Sequence, residues 1–459
     1  MLARRGTSAR EAALDMLLRV ETEGAYSNIE LNRTLGGSGL SRADAALATE
    51  LVYGTIQRRL TLDHWLSRFV ARGLDKLQPW VLVLLRMSLY QLVYLDRIPP
   101  HAAVGEAVKI AKKRGHPGIV SLVNGVLRSL AGCRDELELP DDPDPVRRLS
   151  LKHSFPEWMA ARWIEVYGEE TADRIMASLN ERPRTCIRVN RLRGGRRAVL
   201  ERLRAAGHDA KLSLITQSGI IIRRGGNLAD TDGYRGGEWT VQDEAAMLVA
   251  EICDPEPGMR VLDCCAAPGG KSTHLAELMG DIGEVLANDI HAHKERLIVE
   301  QARRLGLASV RTLVGDAADL PYRVGRGTMD IVLLDAPCSG FGVIRRKPEI
   351  RWTKKPGDID DIAAVQYRLL KAAAAVVKPG GLLVYSTCTF EPRENEGQIA
   401  KFLAAHPEFA PDADWPQPVL EAFRGAGLPE PSSDTGAVTL LPHMAGTDGF
   451  FIARLRRRK

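Results

Sequence analysis

From residue 260 onward, short apolar runs alternate with stretches of helical periodicity, and this alternation limits the fold more than any other feature. Apolar runs at 261–263, 284–289, 310–316, 330–335 and 381–388 are separated by helical patterns over 272–279, 292–305, 359–377 and 393–406. Such a βα alternation predicts a doubly wound, mostly parallel α/β sheet. The run at 449–455 should add an edge strand, followed by a basic tail. Open α/β sheets bind their ligands outside the carboxyl ends of their strands. The residues standing at those ends therefore decide the chemistry.

The first run leads into CCAAPGGK (264–271) and then a helix. A glycine-bearing loop between a strand and a helix lets backbone amides approach a ligand closely. Neither GxGxxG nor GxxxxGK[ST] is present, so a phosphate cradle is not indicated. The spacing suits a nucleoside carrying a small zwitterion, whose carboxylate can meet the amides and the helix N-terminus. Cys265, Ala266, Ala267, Pro268, Gly269, Gly270 and Lys271 are the expected loop contacts. Asp289 ends the next run, where it can accept ribose hydroxyls, and Asp316 the third, where it can accept an exocyclic adenine amine. Asp335 ends the fourth. Any one such acid is commonly a cap; three along one sheet edge indicate a nucleoside cofactor.

The fourth and fifth runs, IVLLDAPCSG (331–340) and GLLVYSTC (381–388), place thiols at Cys338 and Cys388. A lone thiol is usually a small buried hydrophobe. Two of them at strand ends beside an acid point to covalent chemistry. Cys264 and Cys265 read as loop packing beside the cofactor. One adjacent pair with no second pair or histidines at ligand spacing predicts no metal. Seven scattered cysteines give no disulfide framework, and a reducing, cytoplasmic setting is expected. The N-terminal sequence has no apolar leader core, and no run is long enough for a membrane span.

The positive charge lies ahead of the thiols. Residues 1–139 carry 19 Lys and Arg against 14 acids, 140–240 carry 18 against 14, and the remainder 26 against 30. The window 180–240 is richest, with 13 against 6, and suggests an electrostatic grip on nucleic acid. Residues 8–130 read as successive helices, with 81–94 apolar nearly all round and therefore central to a bundle. The expected division is 1–138 helical, 139–150 (with LPDDPDP at 139–145) a linker, 151–240 a small α/β subdomain, and 241–459 the catalytic sheet.

CAAPGGK, DAPCSGFGVIRRKPEIRW (335–352), YSTCTFEPRENE (385–396) and DGFF (448–451) resemble the motifs of S-adenosylmethionine-dependent RNA cytosine-C5 methyltransferases. LVYGTIQRRLTLDHWL (51–66) and VGEAVKIAKKRG (104–115) resemble the NusB helical RNA-binding fold. Together they resemble the Sun, or RsmB-type, branch of that family, which acts on small-subunit ribosomal RNA. The resemblance implies a Rossmann-like class I methyltransferase fold preceded by a small RNA-contacting subdomain and an all-α NusB-like domain. It implies S-adenosyl-L-methionine as cofactor and 16S ribosomal RNA, free or in an early particle, as partner.

By the same resemblance Cys388 is the nucleophile, Cys338 helps release the enzyme, and Asp335 contacts the target base. Lys271 would hold Asp335 ionised or lower a thiol pKa. Arg345, Arg346, Lys347 and Arg351 would hold flanking phosphates. DNA cytosine-C5 methyltransferases use the cysteine of the PC motif instead, which leaves the division of roles open. The same chemistry on transfer RNA, or a non-catalytic NusB-like RNA-binding factor, are the alternatives.

Overall fold

The computed structural model describes residues 8–35, 39–224 and 228–459. Part of the N-terminal stretch read above for a leader core, residues 1–7, lies outside them. The chain forms two compact units, Met1–Glu181 with Ile344–Lys354, and Arg182–Val343 with Lys355–Lys459.

The first unit is helical. Ser8 opens helix Ala9–Glu23 with a capping box to Glu11, and Gly24 closes it in the left-handed region. The central helix Pro79–Tyr94 buries residues on every side, as its composition requires. Arg86 on this helix is buried yet paired, to Asp63 at 2.6 Å and Glu21 at 2.7 Å. Gly54 of helix Arg42–Gln57 has no substitute here, because a Cβ would fall 1.9 Å from the Tyr90 ring.

Pro145–His153, partly within the expected linker, is a helix capped by Asp144. The helices Glu157–Tyr167 and Glu169–Leu179, read from sequence as the start of the α/β subdomain, belong to this helical unit. So does Ile344–Lys354. There Trp352 Nε1 donates to Ile56 O at 2.8 Å, and Ser27 Oγ donates to Glu349 at 2.7 Å.

This corrects the expectation for two of the basic residues. Arg351 is fully buried, donates to Gln57 O and Asn180 Oδ1 at 3.0 Å each, and stacks 3.9 Å from the Phe155 ring. Arg345 is buried and donates to Ser178 Oγ at 2.9 Å. Neither presents its charge to a phosphate. A basic run reads as exposed only when its alternate residues lack buried partners.

The second unit contains two sheets. β1 (Thr185–Val189), β2 (Asp209–Leu212), β3 (Gly219–Arg224) and β4 (Trp239–Val241) form an antiparallel sheet in the order β2-β3-β1-β4. The larger sheet holds β5 (Arg260–Asp263), β6 (Glu284–Asp289), β7 (Val310–Val314), β8 (Met329–Asp335), β9 (Val377–Thr387), β10 (Phe409–Pro411), β11 (Ala437–Leu440) and β12 (Phe450–Arg457). Its order is β10-β12-β9-β8-β5-β6-β7, with β11 also paired to β12.

β5 through β9 run parallel, and β12 pairs antiparallel to β9. Alternate residues of the central strands enter two cores. Val261, Ile331 and Val384 pack on the side of helix Glu244–Cys253, and Leu262, Val332 and Leu383 on the side of helix Gly357–Val376. The edge position expected for 449–455 is incorrect, since β10 and β11 cover the outer side of β12. Strands of three and four residues leave too little alternation to read from sequence.

Candidate active site

The chain winds outward from β5 to β6 and β7, then returns to place β8 on the other side of β5. The reversal lies between β5 and β8, and a doubly wound sheet opens a crevice beyond the strand ends at such a point. The segments leaving those strands are Cys264–Gly269 and Ala336–Gly340, and Cys388 follows the adjacent β9. Topology therefore brings together three stretches that are 48 or more residues apart in sequence.

The two sulfurs face each other, with Cys338 Sγ 3.3 Å from Cys388 Sγ. Lys271 Nζ is 2.7 Å from Asp335 Oδ2, and Ser386 Oγ donates to Asp335 Oδ1 at 2.8 Å. The Phe450 ring of the DGFF stretch lies 5.2 Å from Lys271 Nζ. Burial pulls the lysine pKa down, but the charges of Asp335, Cys388 and Asp263 outweigh it and raise it above its ordinary value. Lys271 is therefore a fixed cation. The Cys338 thiol is pushed well up, first by its hydrogen bond with Cys388, then by burial and by the charges of Cys388, Glu394 and Asp335. A thiol so placed keeps its proton and makes a poor starting nucleophile. The charge of Cys388 is one of the causes that raise the Lys271 pKa, which places the second thiol within electrostatic reach of the ammonium.

The glycine loop is held from the other side. Asp289 is buried and accepts from Ala267 N at 3.3 Å and from His291 N at 2.9 Å. Ala266 N donates to Asn288 O at 2.7 Å. Gly269 has φ +100°, and a Cβ there would come within 3.1 Å of Ile298 Cα, so the loop can run tight against helix Ala292–Leu305 only as glycine. Asp316 lies two residues beyond the end of β7, caps the turn Ala317–Asp319 through Ala318 N, and pairs with Arg368 at 3.3 Å. Cys264 and Cys265 sit in the loop with their pKa values raised, chiefly by burial.

These residues fit a nucleoside with a sulfonium-bearing amino acid. The buried carboxylate of Asp289 keeps acceptor capacity beyond its two backbone bonds. The next residue, Ile290, is exposed, which supplies an apolar face beside that acceptor. Lys271 and Asp335 border the same loop. Among the described residues no group of His, Cys, Asp or Glu could hold a metal ion.

The family model for 16S rRNA methyltransferase RsmB/F matches residues 250–456, and that for the NusB family matches 7–132. A protein of Bacillus subtilis named "Probable ribosomal RNA small subunit methyltransferase B" is 43% identical over 456 residues, 98% of this chain and 99% of its own. The chain belongs to the 16S rRNA methyltransferase RsmB/F family.

A Sodalis glossinidius member named "Ribosomal RNA small subunit methyltransferase B" is 36% identical over 418 residues, 91% of this chain and 90% of its own. The solved structure titled "Crystal Structure of PH0851" superposes with a TM-score of 0.81 at 28% identity, covering 98% of each chain. The RsmF/B-like ferredoxin-like domain matches residues 155–229, so it begins in helices that pack with the helical unit.

Two site-supporting residues of this family member escaped the reading of its sequence. Asp263 ends β5 and is fully buried, with Ser272 Oγ 2.6 Å away; burial raises its pKa to about 7. It ends a strand like the three acids that were singled out, so the signal was available. Arg188 of β1 lies in the basic window 180–240 that suggests a nucleic-acid grip. It is instead fully buried, paired with Glu277 at 2.8 Å, and donates to Gly270 O at 2.5 Å and Thr273 Oγ1 at 3.0 Å. The small sheet thereby anchors the helix that follows the glycine loop. Arg191, Arg193 and Arg197 of the same segment are exposed.

Proposed function

We propose that this chain methylates carbon 5 of a cytidine in 16S ribosomal RNA, with S-adenosyl-L-methionine as donor, through a covalent Cys388–C6 adduct. The observation that carries the reading is the 3.3 Å approach of the Cys338 and Cys388 sulfurs beside the Lys271–Asp335 pair. Cysteine, aspartate and lysine are the three chemistries that this reaction asks of a protein. The bound cofactor supplies an electrophilic methyl group. Asp289 and the loop Cys265, Ala266, Ala267, Pro268, Gly269 and Gly270 would hold it, with Asp316 toward the base, and Asp335 and Lys271 at the reacting end.

Carbon 5 of cytosine is too weak a nucleophile to react unaided. Addition of the Cys388 thiolate to C6 forms the S–C6 bond and moves the ring's double-bond electrons onto C5. Asp335 accepts from the exocyclic amine and holds the ring edge in place, while Lys271 Nζ, 2.7 Å from Asp335 Oδ2, fixes the carboxylate's position. Once C5 carries its new methyl, its proton must leave. Cys338 receives that proton as its own passes to the departing Cys388 sulfur; the C5–H electrons reform the ring double bond and the S–C6 pair returns to sulfur. The raised proton affinity of Cys338 suits this late step. The target base must be unstacked to reach the thiols.

We further assign the N-terminal helices to RNA contact, on their NusB match, and place the protein in the cytoplasm. The second placement accords with the described helices, none of which is long and apolar enough to cross a membrane. The test is transfer of tritium from labelled S-adenosyl-L-methionine to deproteinised 16S RNA, combined with RNA containing 5-fluorocytosine. Fluorine cannot leave as a proton does, so an SDS-stable complex is expected with the parent and with Cys338→Ala, and none with Cys388→Ala. Trapping that depends on Cys338 instead would exchange the two roles, and no transfer to any cytidine would overturn the reading.

A further inference from the structure

The geometry points to Glu394 and Gln366 as positioning residues that fix the Cys338 segment against the Cys388 segment. Gln366, on helix Gly357–Val376, donates from Nε2 to Pro337 O at 2.9 Å and to Glu394 Oε2 at 2.9 Å. Ser339 N donates to the same Glu394 Oε2 at 2.8 Å. The peptide groups on both sides of Cys338 are thus each bonded, and both bonds run to one amide–carboxylate pair.

Glu394 lies six residues beyond Cys388, in the segment that turns into helix Glu396–Ala405, where Tyr385 Oη donates to its carbonyl at 2.7 Å. It is therefore tied to one thiol by the chain and to the other by hydrogen bonds. A second tie joins the residues that follow each thiol, with Ser339 Oγ 2.8 Å from Thr389 Oγ1. Gly342 N adds a third, to Cys388 O at 3.0 Å.

A carboxylate is an expensive way to hold a peptide N–H in a dry interior, since an amide would serve without a buried charge. Glu394 and Gln366 are both fully buried, and Glu394 Oε1 has no hydrogen-bond partner among the described residues. Burial holds the Glu394 carboxyl above its ordinary range, and its charge is one of the causes that raise the Cys338 thiol. A packing role explains neither the charge nor the bare oxygen. A role in placing Cys338 and biasing it toward its protonated form explains the charge.

The inference rests on the proposed reaction only for the meaning of the Cys338 proton. Its test has two arms, both on the full chain with Glu394→Gln, which keeps an acceptor and drops the charge, and Gln366→Ala, which drops the donor and keeps the charge. In the first, the pH dependence of iodoacetamide alkylation is followed at each cysteine by peptide mass spectrometry. Glu394→Gln should shift the Cys338 profile to lower pH and speed its alkylation severalfold near pH 8, with Cys265 unchanged; an unmoved Cys338 profile overturns the inference.

In the second arm, both variants turn over unmodified 16S RNA. Each should form the adduct at the parental rate, release it slowly, and so accumulate an SDS-stable complex severalfold over the parent, with kcat lowered and KM for RNA unchanged. Adduct formation that falls in step with turnover overturns it. Should Cys338→Ala itself accumulate no adduct while the alkylation shift holds, the proton assignment fails and the positioning stands.

Discussion

The β5–β6 and β8–β9 ends of the same sheet use their acids in opposite ways. At the β5–β6 end, Asp289 accepts from the backbone N–H groups of Ala267 in the glycine loop and of His291, and Asp263 accepts from Ser272 Oγ, so both acids steady the loop and the helix that follows it. At the β8–β9 end, Asp335 is bound by two side chains, Lys271 and Ser386, and leaves its surroundings to two thiols in contact. Acids that grip backbone build a rigid receptor. An acid held by a lysine and a serine is fixed in direction beside the two sulfurs. On the proposed reaction the first half serves binding and the second serves proton movement, and Lys271, at the junction of loop and helix, belongs to both.

Substitutions should separate the halves. Cys388→Ala should lower methyl transfer by about 10⁴-fold or more, the scale seen when a covalent nucleophile is removed. Cofactor affinity, measured by calorimetry, should stay at the parental value. A parallel loss of cofactor binding would dissolve the distinction. Arg188→Met should have its main effect on the other half. It leaves Glu277 buried and unpaired, which costs about 3–5 kcal/mol of stability, read as a lower denaturant midpoint. Because Arg188 also holds Gly270 O, cofactor affinity should fall with it, while the cysteine alkylation profiles stay as they were.

The same division marks what the sequence could show. Strand ends are legible because an apolar run stops at a polar residue, and Asp289, Asp335, Cys338 and Cys388 all stand where the alternation placed them. Their convergence rests on strand order, which local periodicity does not carry; β8 lies beside β5 through pairing across about 70 residues. Charge was the least legible property. Arg188, Arg345 and Arg351 each look like surface cations in a basic run, and each is buried against partners far along the chain. Burial of a cation depends on a distant acceptor, and the local sign of it is apolar flanks, on both sides for Arg188 and Arg351 and on one side, Ile344, for Arg345. Asp316 shows the reverse case, a strand-end acid whose carboxylate already has ordinary partners in a turn cap and in Arg368.

Titration sharpens the contrast. Asp263 is raised from 3.8 to about 7 by burial, so the folded chain holds its proton more tightly than the unfolded chain does. Its contribution to stability is fully present below about pH 4 and is lost as the pH rises through about 7. Denaturant unfolding at pH 5 and pH 7 should differ by about 2 kcal/mol from this group, with the protein less stable at the higher pH. Asp263→Asn should flatten that difference, because an amide keeps the shape without the ionisation. A slope that survives the substitution would assign the pH dependence to another group.

The smallest expected effect is at Asp316, and it decides whether the binding half extends to that strand. Its Oδ1 accepts from Ala318 N and its Oδ2 from Arg368, so Asp316→Ala removes a cap worth about 1 kcal/mol in a loop that is otherwise intact. If the carboxylate also receives the exocyclic amine of a bound adenine, the substitution should weaken S-adenosyl-L-methionine several-fold more than it weakens an inosine-containing analogue, which lacks that amine. A cap alone would weaken both ligands equally, because a loosened turn does not read the base. Equal losses would confine the binding half to β5 and β6, and unequal losses would carry it one strand further from the thiols.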